Sequence, residues 1–445
     1  MIKRLIQSKS IQNGIWLYAL QAFNSILPLL TLPYIVRILL PDDYGVFSVA
    51  LNYVSYIVVV VEYGFNMTGA RKIAISQDPS DDSRIFTAIL TVRGCLCILC
   101  GTVVLIFCAI DGFGTLSRCM LALMLMSVGT VLDQTWFFQG KQDMKYISLI
   151  NIVSRSISTV LIFLCVKDSS DLIVYCLLYS AVTVINGIIG TGIVCKKFGV
   201  RLQRLEAAQM KAEIVEGWYL FTSSFSSKVL SSLGIIFLDW FTTPYDCGIY
   251  AALYKFPTLL MLAWNPISQV LYPITSAKMA ESYETGRAFV QKMQKILLGC
   301  FIAVCVLLGL FAEFAVGLLL GESYVAHYAI VYPLLGWLLV AIYNNFQGVQ
   351  MLLAAGYAKE YSSCIRWSAV IAAAGNLVGI YFWGIHGAAY APLISEMILT
   401  VLLQQKKRNV LNTLSQQKGN EQCKMSCLCS EQDPKPLKCV RWSMN

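Results

Sequence analysis

Charge is scarce in this sequence. Only 13% of its 445 residues are Asp, Glu, Lys or Arg, against 57% hydrophobic residues, where an average soluble domain carries about 25% charged residues. With a mean hydropathy of +0.64, a surface built from these residues could not be kept in water, so a soluble domain is excluded. Histidine is nearly absent as well: His327 and His386 are the two in the chain, and both fall where a solvated imidazole is the ordinary state. There is no phosphate-cradling G-x-x-x-x-G-K-[ST] loop, which excludes a nucleotide-driven pump. Sixteen Cys are present, but most lie in apolar runs, as Cys95, Cys97 and Cys100 do, where Cys behaves as a small apolar residue. The polar tail holds Cys423, Cys427, Cys429 and Cys439 at a spacing that matches no standard zinc site. No disulfide framework, metal, cofactor or enzyme active site is expected.

What the chain has instead is a series of apolar runs, each near the roughly 17 to 25 residues needed to cross about 30 Å of hydrocarbon. Twelve are predicted: Gly14–Arg37, Val46–Tyr63, Ile85–Cys108, Leu116–Phe138, Tyr146–Val166, Leu172–Cys195, Trp218–Phe241, Cys247–Ile274, Ile296–Leu320, Tyr328–Ala355, Ser363–Trp383 and Ala388–Gln404. They are called spans 1 to 12 below. The first run has no small-residue cleavage site behind it and is expected to be retained as a span. Lys and Arg concentrate in the amino terminus, the even-numbered loops and the carboxyl-terminal tail, whereas the opposite loops hold only Lys167. Positive charge stays on the cytoplasmic side, so both termini are expected there. The net charge of +9 then reflects topology and attraction to anionic lipid headgroups, and not a nucleic-acid partner.

The chain also repeats itself. Pro41, Asp43, Gly45, Val46, Phe47 and Ser48 recur 203 residues later as Pro244, Asp246, Gly248, Ile249, Tyr250 and Ala251. Both copies fall in a short outer hairpin, which predicts two parallel repeats about an axis along the membrane normal. The expected units are an amino-terminal six-helix bundle over 1–195, a cytoplasmic connector over 196–217 forming an amphipathic surface helix, a second bundle over 218–405, and a disordered tail over 406–445. The fold class is therefore all-α and polytopic. F-Q-G-x-Q also occurs twice, at Phe138 and Phe346, but at different depths, and carries little weight.

Cations inside the spans are the informative exceptions. Arg37, Arg93, Arg118, Arg155, Lys228, Lys255 and Arg366 lie within spans or at their ends. Arg155 and Lys228 sit about 14 Å deep by helical rise, where each costs about 2.5 to 3.5 kcal/mol unless it faces protein or water. One reading is structural, an ion pair with Asp133, Asp239, Glu313 or Glu396. The other is a shared cationic cavity that binds an anion, because Arg93, Arg155, Lys228 and Lys255 come from both halves. Arg118 and Arg366 read as interface anchors. Gln21, Asn24 or Ser25, Pro28 and Thr31 share one face of span 1, and Asn344, Asn345, Gln347 and Gln350 cluster in span 10. Either group suits sugar hydroxyls or helix–helix hydrogen bonds. Pro28 and Pro33, then Pro257, Pro266 and Pro273, are expected to kink spans 1 and 8.

From these residues the sequence resembles a known family. Leu29 to Ala50 reads L-L-T-L-P-Y-I-V-R-I-L-L-P-D-D-Y-G-V-F-S-V-A, and Glu62 to Ala74 reads E-Y-G-F-N-M-T-G-A-R-K-I-A. With Trp136 to Tyr146 and Gly248 to Lys255, these segments resemble the Wzx-type O-antigen and capsule repeat-unit flippases. That is the polysaccharide branch of the MOP superfamily, which also contains MATE exporters. Leu40 stands where that family usually has Gly, which is expected to stiffen the hairpin. The resemblance spans roughly residues 10 to 405 and implies a bacterial inner-membrane flippase for undecaprenyl-diphosphate-linked oligosaccharide, with membrane lipids and the polymerase and chain-length proteins of the same pathway as partners. Arg155, Lys228, Arg93, Lys255, Arg37, Gln21 and Asn24 are the candidate substrate-binding residues. Two rivals remain: a MATE-like exporter, whose usual organic cations a basic lumen would repel, and a polymerase or ligase, for which the outer loops are too short.

Overall fold

In a computed structural model, residues 9–76, 78–204 and 207–430 are described. Among them the chain forms helices and turns and no strand, as hydrocarbon requires of a backbone that must satisfy its own hydrogen bonds. Among the described residues nine helices are long and apolar enough to cross a membrane. Two of these are double. The backbone leaves helical geometry at Leu40 inside Lys9–Glu62 and at Gly384 inside Ala358–Ser430. Dividing both, and adding the less apolar helix Ala207–Phe241, makes the count compatible with twelve spans. Large apolar side chains such as Ile98, Val103, Ile106, Leu310 and Phe382 point outward and are exposed, the ordinary state against lipid and a costly one against water.

The repeated P-x-D-x-G pattern has a local physical meaning. In the second copy Pro244 opens the helix Pro244–Leu253, Thr243 caps it, and the Thr243 hydroxyl accepts the Asp246 N–H. Proline is at ease where no donor is needed, and the acid faces the positive end of the helix dipole. In the first copy Pro41 opens a helix directly after Leu40. The expected hairpin is thus a single-residue break, with Leu40 at φ 60°, ψ 168°, whereas its repeat mate Thr243 is extended.

The two glycines of the pattern meet. A side-chain carbon on Gly45 would collide with the Pro244 carbonyl and lie 2.9 Å from Gly248 N. One on Gly248 would collide with the Pro41 carbonyl and lie 3.0 Å from Gly45 N. Such reciprocal contact between equivalent residues is the signature of a local two-fold axis, and it puts both copies on one side of the molecule. The main buried core runs across this contact, joining Leu39, Phe47 and Ala50 with Ile249, Leu253 and Leu338.

Other elements depart from expectation. Helical geometry persists through Pro28 and Pro33, and the break falls at Leu40. Span 4 is in three pieces, Thr115–Leu123, Leu125–Leu132 and Thr135–Gly140, and span 10 ends as a π-helix, Phe346–Leu353. The two F-Q-G-x-Q copies mark both irregular segments. The connector is not a separate surface helix. Arg201 N and Gln203 N donate to Ser83 Oγ and Thr87 Oγ1, each at 3.1 Å, and from Ala207 the chain runs into span 7 as one helix. Lys72 holds that extension through Glu213 at 2.7 Å and Glu216 at 2.8 Å. The last helix extends to Ser430, and Cys439 lies outside the described residues.

Candidate functional site

Arg155 lies where three helices bring polar groups to one level. Spans 1 and 5 run side by side in one direction: Asn13 Nδ2 donates to Gln142 O at 2.9 Å, Ser148 Oγ to Trp16 O at 2.8 Å, and Tyr34 OH to Val166 O at 2.7 Å. The near-constant offset puts Asn24 level with Arg155. Span 6 packs antiparallel on span 5, with Ser158 Oγ donating to Leu178 O at 2.8 Å and Asn186 Nδ2 to Asn151 Oδ1 at 3.2 Å. Asn151 shares a helix face with Arg155, four residues on. Around this level Asn24 Oδ1, Ser154 Oγ, Arg155 Nε and Asn186 Oδ1 are buried without a hydrogen-bond partner. A buried polar group left so costs about 1 to 3 kcal/mol, and four together mark a place built for polar contact. Among the described residues no carboxylate pairs with Arg155.

Two further cations lie along the seam between the repeats. Span 2 runs beside span 7, where Tyr53 OH donates to Asp239 Oδ2 at 3.0 Å, Trp240 Nε1 donates to Tyr53 OH at 3.1 Å, and Tyr63 stacks on Phe221 with ring centres 4.7 Å apart. Lys228 Nζ is 5.8 Å from the centre of the Tyr56 ring, within reach of a cation–π contact. Lys255 follows Tyr254, a residue of helical conformation at which span 8 passes from one helix to the next. It is exposed although residues 247–253, Phe256 and Pro257 around it are buried.

The other candidates are placed differently. Arg93 is 0% exposed and staples the break in span 4: Nη1 donates to Thr130 O at 3.2 Å and Asp133 O at 3.0 Å, and Nη2 to Asn66 Oδ1 at 2.9 Å. A cation is the natural cap for carbonyls freed at a helix end. Arg37 is exposed and donates to the carbonyls of Gly317 and Leu318, which ties span 1 to the helix Ala312–Leu319. Gln21 is half-buried one turn before Asn24.

Three of the four acids expected as ion-pair partners are hydrogen-bonded elsewhere, and Glu313 is exposed. Asp239 accepts from Tyr53, Asp133 Oδ1 from Thr135, and Glu396 Oε2 from Asn344 at 2.7 Å. Most of the span 10 polar group is bonded internally as well, Gln350 Oε1 being buried without a partner. Asn345 accepts from Ser268, Gln350 donates to Ser268, and Gln347 bonds Gln294 and Lys407. A concavity of about 790 Å³ lies apart from all of these, between Lys72, Asp81, Arg84 and Glu213, and its mixed charges give it no preference of sign.

Apolar helices of spanning length, a reciprocal contact between repeats and cations within the spans define a multi-pass membrane protein. The fold agrees with solved transporters. It matches an inward-facing multidrug resistance MATE family transporter of the MOP superfamily at a TM-score of 0.68 and 14% identity, covering 88% of this chain and 96% of that one. It matches the lipid II flippase MurJ in an inward closed conformation at 0.65 and 10%, covering 89% and 87%. The chain belongs to the polysaccharide biosynthesis protein family, which matches residues 10–279. A relative from Escherichia coli (strain K12), named "Putative O-antigen transporter", is 28% identical over 415 residues, covering 89% of this chain and 96% of the relative. Another of the same name, from Shigella dysenteriae, is 21% identical over 397 residues, covering 88% and 98%.

Proposed function

We propose that this chain is a flippase that moves oligosaccharide repeat units, linked to undecaprenyl diphosphate, from the cytoplasmic to the outer leaflet of a bacterial inner membrane. The names of its relatives and its likeness to a lipid II flippase support a polysaccharide precursor as cargo. In this reading the halves 1–195 and 218–405 rock against each other, both termini are cytoplasmic, and Lys228 and Lys255 join Arg155 in holding the diphosphate. The observation that carries it is Arg155, a cation in mid-span with no carboxylate partner among the described residues and with unpaired buried polar atoms at its level. Guanidinium grips phosphate through two parallel hydrogen bonds, and the neighbouring amides of Asn24, Asn151 and Asn186 suit sugar hydroxyls.

The test is Arg155→Gln, with surface polysaccharide measured at matched membrane protein levels. Export is lost, Arg155→Lys restores it in part, and the protein stays folded because no acid is stranded. Normal export from Arg155→Gln and Lys255→Gln would overturn the assignment.

A further inference from the structure

The reciprocal contact of Gly45 with Gly248 sets a geometry that continues inward along both helices. Asn52 lies seven residues after Gly45, and Lys255 lies seven residues after Gly248. Seven residues are two helical turns, about 10 Å of rise with a residual rotation of only about 20°. Each side chain therefore leaves its helix on the face that meets the other helix across the two-fold. The conformation of Tyr254, φ −63°, ψ −17°, and its N–H bond to Tyr250 O at 2.8 Å carry the helical phase of span 8 through to Lys255.

Both side chains lack partners. Asn52 Oδ1 is buried and accepts no hydrogen bond, and the bond at this residue is one its backbone carbonyl accepts from Ser55, so nothing holds the amide in that orientation and it can turn to present its N–H donors. Lys255 is exposed amid buried neighbours, and no carboxylate pairs with it among the described residues. We infer that Asn52 and Lys255 form one oxyanion-binding pair astride the local two-fold axis, inside the glycine seam, and that Asn52 is the first repeat's contribution to holding the cargo's diphosphate. The chemistry is complementary: the ammonium supplies a compact charge, and the amide supplies two N–H donors to phosphate oxygens. A second Lys at position 52 would face the first across the axis at the cost of like-charge repulsion, which an amide avoids.

This inference rests on the flippase reading for the identity of the ligand, so the experiment measures binding separately from export. Purified full-length protein is titrated with inorganic pyrophosphate in detergent, and with undecaprenyl diphosphate in nanodiscs, which separates a soluble source of the anion from a lipid one. Lys255→Asn weakens both by roughly tenfold or more, the scale of a lost charge-assisted hydrogen bond. Asn52→Ala weakens both by roughly threefold to tenfold, and Asn52→Asp by more than Asn52→Ala. Because the pair straddles a two-fold, the exchange variant carrying Asn52→Lys and Lys255→Asn together regains affinity to within about threefold of the original. That recovery also guards against a mere folding defect.

The inference is overturned if the exchange variant binds as weakly as Lys255→Asn alone, if Asn52→Ala leaves affinity unchanged, or if only pyrophosphate and not the lipid responds. If binding follows the expected pattern while Lys255→Asn exports polysaccharide normally, the pair stands and the flippase reading fails.

Discussion

Gly45 and Gly248, equivalent residues of the two repeats, each lie against the backbone that opens the other's helix. The contact leaves no room for a methyl group on either side. Gly45→Ala and Gly248→Ala should each destabilise the protein by about 1 to 3 kcal/mol, the usual cost of overpacking. The losses should be alike, and less than additive in the double variant because both strain one seam. Thermal unfolding of the purified protein reads this directly, and unchanged midpoints would show that the helices separate freely there.

Leu40 occupies a backbone region close to glycine's own, φ 60° and ψ 168°, which costs a side-chain-bearing residue about 1 to 3 kcal/mol. Leu40→Gly relieves that strain but adds about 0.5 to 1 kcal/mol of unfolded-chain entropy. The net expectation is a gain of about 1 kcal/mol, seen as a higher unfolding midpoint. A lower midpoint would mean that the half-exposed leucine side chain matters more than its backbone.

Arg93 and Arg155 should separate cleanly. Arg93→Ala leaves Thr130 O, Asp133 O and Asn66 Oδ1 without their donor, so membrane abundance should fall sharply, on the scale of about 3 to 5 kcal/mol for breaking a buried charged network. Lys cannot reach three acceptors and should not rescue it. Quantitative immunoblotting of membranes checks this against Arg155→Gln, whose abundance should hold. Equal losses in the two would remove the distinction between a structural and a cargo-facing arginine.

Residue type alone revealed some of this arrangement. Apolar run length located the spanning helices, and a cation inside such a run drew attention to Arg155, Lys228 and Lys255. The P-x-D-x-G pattern was readable because Pro, Asp and Gly each have a reason to stand at a helix start and a close contact. What stayed hidden depended on backbone groups, which carry no residue-type signature. Arg93 works through carbonyls 37 and 40 residues away, and Arg37 through carbonyls 280 and 281 residues away. Pro28 and Pro33 lie within continuous helix, and the break in backbone geometry falls at Leu40, a position whose residue type gives no sign of it. Asn52 gains meaning only once the two-fold contact is known, since a single amide in an apolar helix is as readily a helix–helix hydrogen bond.

The proposed flippase would carry an anionic lipid-linked saccharide across the bilayer on cations set within its spans. The most direct measurement reconstitutes the purified protein in vesicles containing an undecaprenyl-diphosphate-linked oligosaccharide and follows the arrival of the saccharide in the opposite leaflet with a membrane-impermeant lectin or glycosidase. Wild-type protein should accelerate the exchange over protein-free vesicles, and Arg155→Gln should return it to the protein-free rate while Arg93 and the fold stay intact. Exchange by Arg155→Gln at the wild-type rate would contradict a cargo-holding role for this arginine.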